Sequence, residues 1–470
     1  MSRNDIGVIG LAVMGQNLVR NIESRGYRVA AYNRSTERTK AFAATLPDDS
    51  RIETVLALSA FVASLSKPRK ILLMVKAGAA TDGTLDQLLP LLEPGDLVMD
   101  GGNAHFPDTE RRLEQARAAG LHYLGVGISG GESGALHGPS IMPGGSEDAY
   151  ALVGEILEAI AAQGPGGTCC AYLGPGSAGH YVKMVHNGIE YAIMQALAEV
   201  YDLMKRGLGM SAAEMAEVIG TWNRGELESY LVEITEKILR RGDPETGEPL
   251  VEKILDTASQ KGTGKWSTQS ALDVGAPSPS IGAAVFARIA SSLKDERVDA
   301  ETALDGPEAR LSFDVEDSVG DLFSALLLTT VIAYAQGLRQ LRDASAEKAY
   351  GLDLAEVARV WMAGCIIRAK LLVPIGEAFR SDPGLPLLLT AEPFRTMWNE
   401  HHARFRRVVA AAHEAGIPVP ALSSALDFAD SYRTGRLPAN LLQAQRDFFG
   451  AHTYQRVDCE GAFHTEWEKA

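Results

Sequence analysis

Two regimes of hydrophobic patterning divide the chain. In the first, short apolar runs (Ile6, Val8 and Ile9, then RVAAY, RKILLMVKAG, GDLVMDGGN and HYLGVGISGG) alternate with amphipathic stretches such as TDGTLDQLLPLLE and DTERRLEQARAAG. Short apolar runs bounded by glycine read as buried strands, and their alternation with helical stretches predicts a doubly wound parallel sheet. After GPGSAGH, Gly174 to His180, the strand pattern stops and a helical period takes over. Residues 1–177 are therefore predicted to form an α/β domain and residues 178–435 a large all-helical one. From 436 to 470 the chain is broken by glycine and carries Phe448, Phe449, Tyr454, Phe463 and Trp467. Free termini are ordinarily polar, so this extended C-terminal tail is expected to dock, most simply on a second subunit, with Arg446 and His452 available to a site.

Within the helical region the pattern Ala-Glu-Val-x-x-x-Trp-x-x-Gly occurs twice. It falls at Ala216, Glu217, Val218, Trp222 and Gly225, and again at Ala355, Glu356, Val357, Trp361 and Gly364. Each copy follows a long helical run, so a duplicated helical unit is predicted. The first of those runs begins YVKMVHNGIEY. At about 100° per residue, Lys183, His186, Asn187, Glu190 and Tyr191 share an arc of roughly 140°. Lys and Glu on one helix face are ordinarily solvated. Here Val182, Val185, Ile189, Ala192 and Ile193 occupy the opposite face, and no further charge follows until Glu199. A single charged stripe on a buried helix is expected to line a cavity.

A chain of 470 residues exceeds what one core supports, and 46% hydrophobic with 22% charged residues describes a globular protein. The net charge of −15 argues against nucleic acid or an anionic membrane as partner. An anionic ligand would then need a local cluster of cations. The four cysteines, Cys169, Cys170, Cys365 and Cys459, show no CxxC spacing, which predicts a reducing, cytoplasmic setting and no metal site. The uncharged run Leu322–Leu338 is short for a bilayer span and reads as a core helix.

The turn after the first strand carries Gly10, Leu11, Ala12, Val13, Met14 and Gly15, a GxAxxG variant of the dinucleotide fingerprint in its proper strand–turn–helix context. The N-terminal domain is thus predicted to be Rossmann-type. The second strand ends in Asn33-Arg34-Ser35, where an NAD binder usually offers a carboxylate. A guanidinium with two small hydrogen-bonders suits a 2′-phosphate, so NADP is favoured over NAD, against the alternative of an ordinary surface arginine. Later strand ends carry Val75-Lys76-Ala77, Asn103 and Ser129-Gly130-Gly131. The last, followed by GPSIMPGG, is expected to be a loop closing over a ligand. KGTGKW resembles a phosphate loop, but Ser259 and Trp266 stand where a Walker sequence needs glycine and a hydroxyl residue. Lys261, Thr263 and Arg288 could bind one phosphate, or be solvated loop residues.

Taken together, GLAVMGQNL, NRS, VKAG, DGGN, SGG with GPSIMPGG, KMVHNGIEY, QKGTGKW and RDFFGAHTY resemble, in order and end to end, the decarboxylating 6-phosphogluconate dehydrogenase family. The resemblance implies NADP held by Gly10 to Gly15, Asn33, Arg34, Ser35, Val75, Lys76, Ala77 and Asn103. It implies 6-phosphogluconate held by Asn103, Ser129, Gly130, Gly131, His186, Asn187, Tyr191, Lys261, Arg288, Arg446 and His452, with Thr263 beside Lys261. Lys183 falls on the family's general base and Glu190 on its general acid. Arg446 and His452 are expected from the partner chain of a homodimer. Burial, with Lys261 or Arg288 nearby, is expected to depress the Lys183 pKa. Ser35, Ala104, Ser133 and Leu136 depart from the family's usual residues and spare those that carry chemistry. A related β-hydroxyacid dehydrogenase without decarboxylation, or a non-catalytic NADP-binding sensor, are the competing expectations.

Overall fold

The structure, a computed structural model, describes residues 3–311 and 315–468. The chain forms two compact units, one ending at Ala425 and one beginning at Leu426. The first unit opens with a seven-stranded sheet of β1 (Ile6–Ile9), β2 (Val29–Tyr32), β3 (Ile52–Val55), β4 (Lys70–Leu73), β5 (Leu97–Asp100), β6 (His122–Ser129) and β7 (Ser140–Gly145). Their order is β3-β2-β1-β4-β5-β6-β7. The order reverses between β1 and β4, which opens a crevice at the strand C-termini where such sheets bind ligands. Val8, Leu72 and Met99 enter one core, whereas Ile9, Ile71, Leu73 and Val98 enter the other. Burial on both faces is why these strands read as continuous apolar runs.

The sheet departs from the sequence expectation in two places. β3 pairs in parallel with β2 at the sheet edge, and its IETV sequence, with Glu53 exposed, carries too little apolar signal to announce a strand. β7 runs antiparallel to β6, with Ser129 opposite Ser140. It is built from SIMPGG, in the stretch after the Ser129-Gly130-Gly131 expected to form a closing loop; all six residues are buried in a strand, preceded by the helix Gly131–His137. Pro143 is tolerated because β7 is the last strand in the order. Ser129 ends β6, Gly130 makes the turn with φ 138°, and Gly131 begins that helix.

The helical part is arranged in two similar series. Helix Ala178–Asp202 is followed by Ala212–Trp222, whose N-terminus carries a capping box between Ser211 and Glu214, and by Tyr230–Arg240. Helix Val315–Lys348 is followed by Leu354–Val360, capped by Asp353, and by Leu372–Ser381. The two Ala-Glu-Val-x-x-x-Trp-x-x-Gly copies begin in the middle helix of each series. The segments after their tryptophans pair with each other: Tyr230 N donates to Arg368 O at 3.0 Å and Lys370 N to Glu228 O at 2.9 Å. Reciprocal pairing of equivalent segments is what a local two-fold relation between duplicated units produces. The apolar run becomes part of a core helix, Ser318–Lys348 being largely buried. At Gly337 that helix leaves room for Val185 and Ile189.

Glu199, near the far end of Ala178–Asp202, is buried and accepts from the amides of Ala421 and Leu422 at 2.8 and 2.9 Å. Burial pushes its carboxyl up to about 7, against those bonds and one from Gln195. Glu199→Ala leaves both amides buried without this acceptor and should lower stability by about 2 kcal/mol or more. Thermal unfolding checks this; an unchanged Tm would mean the amides find other partners.

Candidate active site

The turn after β1 is held by the protein's own groups. A Cβ on Gly10 would meet the Met74 carbonyl, and Gly10 adopts φ 106°. Gly10 N donates to Tyr32 O at 2.9 Å, and Leu11 N to Asn33 Oδ1 at 3.0 Å. Helix Val13–Ser24 starts after Ala12 with no side-chain cap and no acid in its first turn. Its amides and the positive end of its dipole are thereby left for a pyrophosphate. Asn33 is used inside the turn, whereas Arg34 and Ser35 are exposed at the end of β2. Ser35 caps helix Thr36–Ala43 and donates to Glu37 Oε2 at 2.9 Å. A ribose phosphate would meet there a guanidinium, a helix N-terminus and the Ser35 hydroxyl, which it would take over from the Glu37 carboxylate. Val75 lies against Gly10 across the switch point, and Lys76 beside it is exposed. These residues fit a dinucleotide with a 2′-phosphate.

The DGGN turn stands on a buried polar network. Asp100 Oδ1 accepts from Gly102 N at 3.0 Å, while Oδ2 meets Arg112 Nη1 at 3.2 Å and Tyr123 OH at 3.3 Å. The Asp100 carbonyl lies 3.0 Å from His180 Nε2, whose Nδ1 lies 2.7 Å from Thr109 Oγ1. Asn103 therefore projects from an anchored turn, exposed beside the crevice. Asn17 and Asn21 of the fingerprint helix reach the carbonyls of Glu132 and Ala135 at 3.0 and 3.2 Å, which ties the phosphate turn to the helix after Gly130.

Helix Ala178–Asp202 rests directly on β6 and β7. An added Cβ on Gly127 would lie 2.5 Å from Lys183 Cβ, and one on Gly179 would strike the carbonyls of Gly125 and Met142. The close approach buries Lys183, His186 and Asn187. Lys183 Nζ donates to Asn187 Oδ1 at 2.7 Å and lies 3.4 Å from His186 Nδ1. His186 Nδ1 is 2.9 Å from Asn187 Oδ1, and its Nε2 is 3.3 Å from Ser129 Oγ. Donation from Nδ1–H to Asn187 leaves Nε2 to accept from Ser129. Glu190 follows at the edge of the buried stretch, seven residues and roughly 10 Å along the axis from Lys183.

Burial brings the Lys183 amine down to about 8, with the charges of Glu190 and Cys365 acting in the opposite direction. The expected help from Lys261 or Arg288 is not needed, since desolvation is the cause that lowers it. Burial raises the Glu190 carboxyl, opposed by Lys183 and Arg288. His186 is held well below the usual imidazole value by burial and then by Lys183, so it is neutral.

Past Glu190, Tyr191 packs with Ala284 and Val285 and faces Gly264, while the Arg288 guanidinium stands 3.5 Å above its ring. Thr263 is buried at the start of helix Thr263–Asp273, and Lys261 is exposed just before it. Arg446 and His452 belong to the second unit, exposed on helix Ala439–Gly450 and just beyond it. Sequence reasoning passed over Trp361. Its ring meets His186 edge-on at 5.7 Å, and its Nε1 donates to Met142 Sδ at 3.4 Å. It also passed over Gly364, whose carbonyl accepts from Ser140 N at 2.8 Å and presses on Gly130. The repeated Trp-x-x-Gly was the available signal. A hollow of about 820 Å³ lined by Ser345, Gly351, Asp353, Phe379 and Arg380, among others, shares none of these site residues.

Known proteins resemble the chain over its whole length. Residues 5–174 match the "NAD binding domain of 6-phosphogluconate dehydrogenase", and residues 179–467 match "6-phosphogluconate dehydrogenase, C-terminal domain". The chain is 52% identical over 470 residues to the NADP(+)-dependent, decarboxylating 6-phosphogluconate dehydrogenase of Bacillus subtilis (strain 168), covering 100% of both chains. It is 51% identical over 469 residues to the decarboxylating enzyme of Lactococcus lactis subsp. lactis (strain IL1403), covering 99% of each. The 6-phosphogluconate dehydrogenase of Plasmodium falciparum, solved in its apo form, with NADP+ and with 6-phosphogluconate, superposes with a TM-score of 0.95 at 43% identity. That match covers 98% of this chain and 100% of that one.

The burial argument fixes the titration of Lys183. Nitrogen-15 NMR of labelled lysine should show one amine titrating at about 8 and absent from Lys183→Met. Glu190→Gln removes a charge that favours the ammonium and should lower that value further. An ordinary lysine titration, or an upward shift in Glu190→Gln, would contradict it.

Proposed function

The chain belongs to the decarboxylating 6-phosphogluconate dehydrogenase family, and on that premise we propose that Lys183 and Glu190 are the base and acid of the reaction it catalyses. It converts 6-phospho-D-gluconate to D-ribulose 5-phosphate and CO2 with reduction of NADP+, a step of the pentose phosphate pathway. The observation that carries the assignment of roles is the pairing on one helix of a buried amine lowered to about 8 with a carboxyl raised by the same burial. Gly10 to Gly15, Arg34, Ser35, Val75, Lys76, Ala77 and Asn103 would hold NADP+, whose nicotinamide supplies the hydride acceptor at C3.

Lys183, as the free amine, takes the proton of the C3 hydroxyl as that carbon is oxidised to a ketone. Its hydrogen bond to Asn187 Oδ1 holds the nitrogen in place, and burial keeps it desolvated. The resulting 3-keto acid loses its C1 carboxylate as CO2, and the bonding electrons pass toward the C3 oxygen. Lys183, now an ammonium, stabilises and protonates that oxygen, giving an enediol. Glu190, whose carboxyl is raised by burial, then delivers a proton to the carbon that lost CO2, and Lys183 recovers the enediol proton as the ketone forms. His186 and Ser129 line the sugar, with Asn103 at the end of the DGGN turn. Tyr191, Lys261, Thr263 and Arg288 form the phosphate end.

Arg446 and His452 complete that end from the partner of a homodimer. Leu441, Leu442, Phe448 and Phe449 of the tail helix are exposed within one chain, which supports their being covered by a second copy. Functionally, residues 1–177 serve the nucleotide, 178–435 the substrate and dimer, and 436–470 the partner's site. Four free thiols, three of them buried, support a cytoplasmic setting. Full-length similarity to decarboxylating enzymes leaves no ground for the simpler dehydrogenase or the sensor.

Lys183→Met should lower kcat by about a thousandfold or more while 6-phosphogluconate still binds, measured by NADPH absorbance together with isothermal calorimetry. A kcat within a few-fold of the parent would reject the role. Arg34→Asp should raise KM for NADP+ far more than KM for NAD+, because a carboxylate repels the 2′-phosphate. An unchanged ratio of the two would place the 2′ site elsewhere.

A further inference from the structure

The second unit contains one buried carboxylate that the reaction does not use. Asp447 is the sole buried residue of helix Ala439–Gly450, with a fully covered side chain. Its two oxygens are saturated. Oδ1 accepts from Thr453 N at 3.0 Å and from His464 Nδ1 at 2.9 Å, while Oδ2 accepts from Thr465 N at 3.0 Å and Trp467 Nε1 at 2.8 Å. Its own carbonyl accepts from Ala451 N at 2.9 Å. Burial alone would raise the carboxyl, but the donors, His464 foremost, hold it down at about 2. It is therefore ionised throughout the physiological range.

The residues that Asp447 gathers bracket His452. Ala451 and Thr453 both adopt left-handed backbone, at φ 49° and 58°. Such conformations are costly for residues with a Cβ and persist where the surroundings over-determine them. Here one is tied to the Asp447 carbonyl and the other to its carboxylate. Gln443 Nε2 adds a bond to Thr453 O at 2.6 Å, and Gln443 Oε1 also accepts from Arg446 Nη1 at 3.0 Å. The His452 ring turns back over Gly450 and stands edge-on to Phe449 at 6.0 Å. Arg446 is the neighbour of Asp447 on the helix. The returning segment is closed by paired Tyr454 and Phe463, each donating to the other's carbonyl at 2.8 Å.

We propose that Asp447 is a positioning residue for substrate phosphate, holding Arg446 and His452 in register by binding four donors from the chain that follows them. This rests on the reading that those two residues serve the partner's substrate site. Asp447 touches no substrate. It acts by fixing the sharp turn that presents His452 next to the Arg446 face of the helix.

Asp447→Asn keeps the shape but loses the charge and acceptor capacity. In the full-length dimer, its KM for 6-phosphogluconate should rise by about ten- to a hundredfold, as misplacement of a binding group does. KM for NADP+ should stay within about twofold, with kcat much less affected than KM for the sugar. The same measurements on Arg446→Ala and His452→Ala separate the two layers. If those leave sugar KM unchanged, the tail reading fails. If they raise it and Asp447→Asn does not, the positioning role fails. Combined with Arg446→Ala and His452→Ala, Asp447→Asn should add little, since it acts through them; full additivity would overturn the proposal. Equal losses in both KM values and in thermal stability would make Asp447 merely structural. Should Asp447→Asn not assemble, Trp467→Phe removes a single donor and should give a smaller rise in sugar KM alone; no rise there would count against the role.

Discussion

The site depends on how closely one helix can lie on two strands. Gly125 and Gly127 fall on one face of β6, Gly144 on β7, and Gly179 in the first turn of the helix; a Cβ would collide with His180 and Thr109 at Gly125, with Lys183 at Gly127, and with backbone at Gly144 and Gly179. Helix–strand contact at that distance excludes water from the first three turns. Lys183, His186 and Asn187 are then hydrogen-bonded to one another and, through His186, to Ser129. A longer side chain at any of these glycines would lift the helix, hydrate the amine and return it toward ordinary basicity. The chemistry of Lys183 is thus a consequence of backbone packing more than of neighbouring charge.

That dependence explains which features the sequence could reveal. The fingerprint turn, the apolar strands and the polar stripe from Lys183 to Tyr191 were legible because each is a local pattern with a local cause: backbone approach, burial on two faces, or helical period. β7 was not legible, because SIMPGG becomes a strand only through antiparallel pairing with β6 and contact with Gly364, far away in the chain. Trp361 escaped for the same reason. Its sequence signal marked a repeat, but only the fold brings the second copy, and not the first, against His186. The cause of the Lys183 shift was half legible: the direction followed from the apolar helix, whereas the absence of any need for Lys261 or Arg288 required the packing.

An acidic chain that binds an anionic sugar must also keep its carboxylates from the ligand. Asp100 and Asp447 do so by saturation: their oxygens are filled by Gly102, Arg112 and Tyr123 in one case and by His464, Thr453, Thr465 and Trp467 in the other. Each then works as a clamp on a turn, that of Asn103 in one case and that of His452 in the other, both of them proposed binding residues. Buried acids with satisfied lone pairs give order to loops that have little apolar surface of their own. Glu199 follows the same logic at the other end of the site helix, gripping two amides in the first turn of the distant helix Pro420–Arg433.

The pairing of Lys183 with Glu190 follows from the same burial. Desolvation disfavours both charges, so it lowers the amine and raises the carboxyl, and the states it favours are the free base and the protonated acid. Those are the forms that the proposed reaction needs at its start. In the proposed reaction each turnover takes the carboxyl proton to the product and leaves one proton on the amine, creating a buried ammonium and carboxylate on one helix face. The mutual attraction of that pair, visible as each partner's opposing influence on the other, limits how far burial can drive the two values toward neutrality. By lowering the amine and raising the carboxyl, desolvation favours the return of that proton, so the proposed cycle draws on the same exclusion of water at its end as at its start.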